Sequence, residues 1–562
     1  MRRSNVPAVF GFAFLSFLVG SSTAQAQYTW TGNSTFSQRW DDPFNWTGGE
    51  LLSTPNDANH TATFASTTVA NISLRDSSSQ DQTYAVRSLT FESAAAAYNI
   101  NHGTLSLTSG GSIAVETTTN TITINSAITM NGGLSLSNAS TTSGQTLTLT
   151  GTLATGGNTL SVTGAGNIVI SGSISGGGTI SHTGTGKLSI TSASGFSGTT
   201  TLASGSTLEI GNGMTNGSIG TGAITNNGTL TLNRSDAITF ANDISGSGNL
   251  IQSGSGTTTL TGTNSYGGTT TISAGALVVG NGGTTGSLGS GAVTNDGALT
   301  FNRSDAIAVA NNIGGSGSLT KEGAGTMTYT GTGTYLGTTT VNQGTMLIDG
   351  AGSLNGSGGT VIVLSGSTLG GTGTVARAID VGNGAIVRGG SATTIGNLAT
   401  TGDITINRGT ITTRISPTTS GGSGTVADPF ILNTNSKLAL GTTGQLDFDT
   451  GTGKFKVVIE NDSGLAPATT YRLVLATANL GNQYTVNGLN TWTNLTSTQL
   501  DVISGTVNTD LFNDVILTRS GSDLVLTFST VPEPASLIAI GTLALGGAAF
   551  LRRRLVRPAS VA

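Results

Sequence analysis

The sequence contains no cysteine, and only 9% of its 562 residues are charged. Without cysteine the chain can form neither disulfides nor thiolate metal sites. The 22 basic and 27 acidic residues give a net charge of −5, and no basic stripe stands out in the body of the chain. Nucleic acid is therefore not an expected partner. Aromatic residues make up only 5% of the chain, but 36% of the residues are hydrophobic, too many for a simple disordered linker.

Convincing helical periodicity is also missing between residues 100 and 530. The segments TITIN at 121–125, TLTLT at 146–150 and TLTLN at 229–233 alternate polar and apolar residues instead. This alternation is the period of a half-buried β-strand, and Gly and Asn clusters interrupt the runs every few residues. The sequence therefore predicts an all-β fold.

The body of the chain repeats itself. The segment TNNGTLTLNRSDAITFANDISGSGNL at 225–250 shares 18 of 26 residues with TNDGALTFNRSDAIAVANNIGGSGSL at 294–319, at an offset of 69. A second block occurs three times, as GFSGTTTL from 195, SYGGTTTI from 265 and TYLGTTTV from 334. Similarity at a fixed period predicts stacked structural units, as in a solenoid.

Because helical patterns are missing, a parallel β-helix is the expected solenoid. With coils of about 20 to 25 residues, the repeat would span roughly three coils. Some 330 residues would then form about 14 coils, and at about 4.8 Å per coil a rod about 70 Å long. Leu, Ile and Val should point inward, Thr outward, and Gly and Asn should turn the corners. The open ends should be capped, because exposed strand edges invite aggregation.

The two termini carry targeting patterns. Arg2 and Arg3 precede an apolar segment at 6–19, and Ala24-Gln25-Ala26 fits a signal-peptidase site with Gln27 as the new N-terminus. Near the other end, 17 uncharged residues at 535–551 would extend about 26 Å as a helix, enough for a thin bilayer. The basic residues that follow predict a cytoplasmic C-terminus and a body outside the inner membrane. These residues are Arg552, Arg553, Arg554 and Arg557.

The last thirty residues resemble the PEP-CTERM sorting signal. They place Pro532-Glu533-Pro534 before the apolar span and the arginine cluster at the extreme C-terminus. The resemblance implies that an exosortase, a membrane protease, removes the tail near the motif. The processed protein would then reach the cell surface or an extracellular polysaccharide matrix, and the inner membrane would be only a transient partner. An ordinary C-terminal anchor is the alternative.

The repeat itself resembles the autotransporter-associated β-strand repeat. The segment GSGSLTKEGAGTMTYTGTGTYLGTTTVNQGTMLIDG at 315–350 has its Gly-x-Gly-x-Leu opening and its aromatic residue before Gly-Thr-Thr-Thr. Two degenerate copies precede it, near 175–213 and 245–282. The resemblance implies a β-helical, passenger-like surface domain. It does not imply self-transport, because the C-terminus has a sorting tail in place of an outer-membrane domain.

Three of the four tryptophans lie in the N-terminal segment, at Trp30, Trp40 and Trp46. We interpret them as a cap that plugs the first coil; the alternative is a platform on which sugars stack. Residues 431–530 lose the clear repeat and gain longer apolar runs such as FKVVIE at 455–460. We predict a signal peptide at 1–26, a Trp-containing cap at 27–98, a β-solenoid at 99–430, a C-terminal β-domain at 431–530 and a sorting tail with a transmembrane helix at 531–562.

A search for catalytic residues finds no convincing set. Asp41-Asp42 are adjacent, and Asn508-Thr509-Asp510 occurs once without a partner motif. Arg234 with Asp236 and Arg303 with Asp305 recur in the repeat, as structural turn pairs would. His60, His102 and His182 are isolated and lack metal-ligand spacing.

We therefore expect no catalytic residues, no metal and no cofactor. The prediction is an exported structural or adhesin-like protein whose partners are an exosortase and, at the surface, polysaccharide or neighbouring cells. A secreted β-helix polysaccharide lyase or glycosidase is the alternative.

Overall fold

The computed structural model describes most of the chain between the two predicted targeting segments. The described residues are 27–31, 39–42, 45–47, 59–65, 70–93, 95–117, 120–141, 145–407 and 410–414, and beyond these eleven strands between 419 and 530. They form β-strands and turns with no α-helix, so the all-β prediction is confirmed for this part of the chain. No helix in it is long and apolar enough to cross a membrane. The predicted signal peptide and the predicted sorting tail lie outside the described residues.

The strands form four sheets. The first sheet contains Gln27–Trp30, Trp46–Thr47, Thr61–Phe64, Thr83–Phe91, Thr104–Val115, Ala127–Met130, Leu134–Asn138, Leu153–Ala154, Thr159–Thr163, Ile174–Gly176, Thr179–His182, Gly195–Phe196, Thr199–Leu202, Ile224–Asn226 and Ile244–Ser245.

The second sheet runs along most of the described chain. Its parallel strands are Ala70–Ser73, Tyr98–Asn101, Ile122–Ile124, Thr146–Leu149, Asn167–Ile170, Lys187–Ile190, Thr207–Met214, Thr229–Arg234, Asn249–Gln252, Thr270–Ile272, Val293–Asn295, Ile313–Gly314, Thr332–Gly333, Ser353–Leu354, Thr374–Val375, Asn397–Thr400 and Lys437–Leu440. Its remaining strands are Thr419–Ser420, Phe430–Leu432, Thr470–Ala478, Leu495–Thr496, Phe512–Ser520 and Asp523–Thr530.

The other two sheets begin further along the chain. The third sheet contains Ile238–Phe240, Thr257–Leu260, Ala276–Val279, Ala298–Asn302, Ser318–Glu322, Thr339–Val341, Val361–Val363, Ile379–Val381, Ile404–Asn407, Leu446–Asp449 and Tyr484–Val486. The fourth contains Ile307–Val309, Thr326–Tyr329, Thr345–Ile348, Thr368–Gly371, Ile386–Arg388, Thr410–Arg414, Phe455–Glu460 and Leu500–Ser504.

Between the two ends, each strand pairs in parallel with the strand one coil earlier, which makes the molecule a parallel β-solenoid of about 15 turns, as predicted. Inward side chains stack in register because every residue lies above its counterpart in the previous coil. One aliphatic column of the second sheet is buried, with no member more than 1% exposed. It consists of Leu147, Ile168, Leu188, Leu208, Leu230 and Leu250.

The repeat and the coil do not have the same length. Successive strands of the second sheet begin at 229, 249, 270 and 293, so three coils take fewer than the 69 residues of the repeat. As a result Ile224–Asn226 lies in the first sheet, but its repeat counterpart Val293–Asn295 lies in the second. The prediction of roughly three coils per repeat is therefore close to the observed number. The repeat contains three coils and one further strand, so equivalent residues move to the neighbouring face of the solenoid.

Antiparallel pairing occurs at both ends of the described chain. Gln27–Trp30 pairs antiparallel with Trp46–Thr47 and parallel with Thr61–Phe64. Near the other end, Thr470–Ala478 pairs antiparallel with Asp523–Thr530. Antiparallel neighbours interrupt the regular parallel edge that another solenoid would otherwise extend.

Candidate functional site

The three N-terminal tryptophans lie in the core, with exposed fractions of 1%, 2% and 8% for Trp30, Trp40 and Trp46. The Trp46 ring meets Trp30 edge-on at 4.9 Å and Trp40 at 5.0 Å between centroids. The Trp46 Nε1 donates a 2.8 Å hydrogen bond to the Trp40 carbonyl oxygen. Trp30 lies in register with Phe64, which stacks on Phe91 at 4.6 Å. An aromatic column thus continues the aliphatic core to the N-terminal strands.

This packing favours the cap interpretation. A ring that stacks on a sugar must offer an open face, but these rings are covered by one another and by Phe64. The neighbouring Asp41 forms a 3.0 Å ion pair with Arg39, and Asp42 is 8% exposed. These two carboxyl groups therefore do not form an exposed pair.

The repeated Arg and Asp residues form two equivalent structural clasps. Arg234 donates from Nε and Nη2 to the two carboxylate oxygens of Asp236, at 2.8 and 2.6 Å, and Arg303 makes the same bonds to Asp305. Bidentate Arg–carboxylate pairs have the best geometry of surface ion pairs. Hydrogen bonding by each guanidinium lowers the pKa of its aspartate partner.

Each clasp also fastens an outward loop. The Nη1 of Arg234 donates to the Gly217 carbonyl oxygen at 2.6 Å, and Arg303 donates to the Gly286 carbonyl oxygen. These loops lengthen the strand-to-strand connections of their coils. The prediction of a structural turn pair therefore agrees with the geometry, and the two clasps lie on adjacent faces because the repeat exceeds three coils.

A cleft lies beside each clasp, with a volume of about 280 Å³ at Arg234 and about 210 Å³ at Arg303. The amide of Asn242 bonds the carbonyl oxygens of Gly220 and Gly222, and Asn311 makes the equivalent bonds. Neither lining includes an Asp or Glu residue. Because glycoside hydrolysis ordinarily needs a pair of carboxyl groups, neither cleft has the groups for that reaction.

Sequence reasoning missed one recurring position inside the solenoid. His182, Gln252 and Lys321 occupy equivalent places in the three repeats, and each is about 1% exposed. Each side chain contacts a backbone carbonyl oxygen in the bend that directly follows its own strand. His182 Nε2 lies 3.0 Å from Gly186 O, Gln252 Nε2 2.9 Å from Gly254 O, and Lys321 Nζ 2.7 Å from Gly323 O. Three different side chains thus satisfy inward carbonyl groups, which would be costly to bury alone. The signal that could have revealed this position was the alignment of the three repeat copies, which places a different polar residue there in each copy.

Burial lowers the pKa of Lys321 to about 8 and also lowers the pKa of His182, although carbonyl contacts oppose the shift at His182. A buried imidazole with a lowered pKa stays neutral where the unfolded chain takes up a proton. The imidazole should therefore cost stability as the pH falls below about 6.5, the ordinary pKa of histidine.

We expect His182→Gln to reduce the loss of unfolding free energy at acidic pH, since glutamine does not titrate and Gln252 makes the equivalent bonds. Urea unfolding of both proteins at pH 7.5 and pH 5 measures this effect. The original chain should lose more stability between the two pH values than the variant does. Equal losses would show that His182 does not contribute.

The other histidines lie apart from any cluster. His60 packs against Tyr28 with ring centroids 4.9 Å apart, and His102 Nδ1 lies 3.3 Å from Ser73 Oγ. Among the described residues, no three His, Cys, Asp or Glu side chains gather as a metal site would require. Gln27 is the exposed first residue of its strand.

The other predicted targeting residues, and Asn508-Thr509-Asp510, lie outside the described residues. They are Ala24 and Ala26 of the signal-peptidase site, Pro532, Glu533 and Pro534 of the sorting motif, and Arg552, Arg553, Arg554 and Arg557 of the basic cluster.

Comparison with known families identifies the repeat. The passenger-associated-transport-repeat matches residues 183–210, 250–279 and 319–348. All three segments fall within the copies that resemble the autotransporter-associated repeat, so that resemblance is confirmed. No curated protein matches the chain. The repeats and the β-solenoid together indicate a secreted or surface passenger-like protein.

Proposed function

We propose that the protein is a structural or adhesin-like rod displayed on the cell surface or in the extracellular matrix, without enzymatic activity. The observation that carries this proposal is the passenger-type repeat, built into a continuous solenoid of about 15 turns. Its two repeated clefts use their arginines to fasten loops, and neither cleft presents a carboxyl group. A weakly charged rod with many exposed hydroxyl groups would bind polysaccharide or neighbouring cells through many weak contacts.

The C-terminal tail would direct the rod to its destination. Two prolines would keep Pro532-Glu533-Pro534 extended, and an extended chain offers its backbone to a processing enzyme. The apolar span at 535–551 and the basic residues after it would hold this segment just outside the inner membrane. An exosortase would then remove the tail and release the rod.

Mass spectrometry of C-terminal peptides tests the sorting step on protein from the native envelope and medium. We expect the mature chain to end near Pro532 to Pro534. If peptides from 535–551 persist on the mature protein, the tail is a permanent anchor and release to the matrix is wrong.

A panel of neutral and acidic polysaccharides tests the absence of catalysis. The alternative, a lyase or glycosidase, would produce unsaturated products or new reducing ends when the full chain is added. We expect neither product above the level given by heat-denatured protein. Turnover of any polymer would show that the protein is an enzyme and that the scaffold proposal is wrong.

A further inference from the structure

The first sheet carries an unbroken line of hydroxyl side chains, one on each of nine successive strands. Parallel pairing places each of these residues directly beside the next, so the line runs along the axis of the solenoid. We call this line the hydroxyl ladder. It consists of Thr61, Ser88, Ser112, Ser135, Ser161, Ser181, Thr201, Thr225 and Ser245. At about 4.8 Å per strand, its eight steps extend roughly 38 Å.

The ladder faces solvent, and eight of its nine strands are uncharged; the exception is Thr83–Phe91, which contains Arg87 next to Ser88. Every member is partly or fully exposed, whereas the neighbouring strand residues are buried, except Arg87 beside Ser88. The six strands from Leu134–Asn138 to Ile244–Ser245 contain no Asp, Glu, Lys or Arg. Within the described chain, the side chains of Ser161, Ser181 and Thr201 make no hydrogen bond to another group, so their hydroxyls are available to a ligand.

Strand propensity alone does not explain the ladder. The corresponding outward line of the second sheet passes through Val169, Glu209 and Ile251. That of the third sheet includes Val278 and Asp380. These lines have the same backbone geometry and the same need for β-forming residues, yet they accept apolar and charged side chains. Only the first sheet holds a hydroxyl at every step through these coils.

We propose that the hydroxyl ladder binds an extended, neutral, β-linked glycan that lies along the solenoid axis. The inference rests on the proposed surface function and names the polymer class that one face of the rod recognises. The six strands without charges, Leu134–Asn138 to Ile244–Ser245, suit a neutral polymer, since they impose no cost of burying an unpaired charge. An acidic polysaccharide would find no Lys or Arg on these six strands to pair with its carboxylates.

The repeat distance supports the same ligand. In an extended β-linked glycan successive rings advance by a distance close to the spacing of the coils, so several rings can each face one rung. A hydroxyl both donates and accepts, which matches the hydroxyl groups of a sugar. Each hydrogen bond contributes only about 1 kcal/mol net. Because the hydroxyls are fixed on one rigid sheet, several can bind the same glycan chain without further ordering of the protein.

Binding of the full chain to insoluble cellulose tests the proposal. The ladder variant combines Ser161→Ala, Ser181→Ala and Thr201→Val, which remove three adjacent hydroxyls and little volume. The matched control combines Thr231→Val, Thr271→Val and Thr294→Val, three outward threonines of the second sheet. We expect the ladder variant to bind cellulose at least about tenfold more weakly, a loss that three ordinary hydrogen bonds can supply. The control should stay within about twofold of the original chain.

Other outcomes separate this inference from the proposed function. If the original chain binds cellulose and both variants bind equally well, the ladder is not the binding face, while the surface role stands. If the original chain binds alginate, an acidic polymer, as tightly as cellulose, recognition of a neutral glycan is wrong. If it binds no neutral glycan, the ladder proposal falls, and the peptide analysis of the tail still tests the surface role. Equal urea midpoints would show that the variants fold.

Discussion

Replacement of Leu260 by aspartate should lower the free energy of unfolding by at least about 4 kcal/mol. Leu260 is completely buried, and in the third sheet it stacks between Phe240 and Val279. A carboxylate there would lie in an apolar column with no cation or hydrogen-bond donor opposite it. In a solenoid each coil contacts only its neighbours, so a damaged coil uncouples the segments on either side of it.

The adjacent residue provides the control. Thr259 belongs to the same strand but points outward, between Thr239 and Val278. We expect Thr259→Asp to change stability by less than about 1 kcal/mol, since its charge stays in water. Urea unfolding followed by circular dichroism measures both variants. A similar loss at the two positions would show that strand propensity, not burial, determines the effect.

Replacement of Gly220 by alanine should also be severe, at about 3 kcal/mol or more. Gly220 has a φ of 85° and lies where the chain passes directly over the previous coil. A Cβ atom at this position would lie 1.7 Å from the carbonyl oxygen of Phe196. That oxygen accepts the 3.2 Å hydrogen bond from the Thr221 amide, so any shift that relieves the clash also weakens a bond between coils.

Gly205 separates the clash from the backbone strain. Its φ of 84° is nearly the same as that of Gly220, but a Cβ atom would meet only Thr185 Cγ2, at 4.0 Å. Gly205→Ala should therefore cost only the left-handed backbone penalty, roughly 1 to 2 kcal/mol. The difference between the two urea midpoints isolates the close approach of the coils. Equal losses of stability in the two variants would mean that the two coils can separate at Gly220 without a cost in free energy.

Local chemistry made much of the fold predictable. Alternation in segments such as TLTLT at 146–150 assigns Leu147 and Leu149 to the core, and both are fully buried. The prediction succeeds because the side-chain period of a strand is a property of the strand itself. The repeated Arg and Asp pairs were also predictable as turn devices, because residues two apart at a turn can bond each other.

The stacking of one coil on another was not predictable in the same way. The number of residues in a coil depends on the lengths of the connections between its strands. The outward loops beside Gly217 and Gly286 lengthen such connections and so change the coil length. The sequence therefore showed a 69-residue repeat but not that it exceeds three coils. For the same reason it did not reveal the hydroxyl ladder, whose members are 20 to 27 residues apart and are aligned only by the register of pairing.

The sequence by itself determined the strand content, the inward and outward residues and the repeat, and it predicts the targeting patterns at both termini. These depend on nearest neighbours along the chain or on contiguous runs of residues. Only the tertiary structure decided which face each repeat occupies, that Trp30, Trp40 and Trp46 are buried, and which hydroxyls form one line. Those features depend on contacts between residues in different coils, and the summed lengths of all intervening turns fix the contacts.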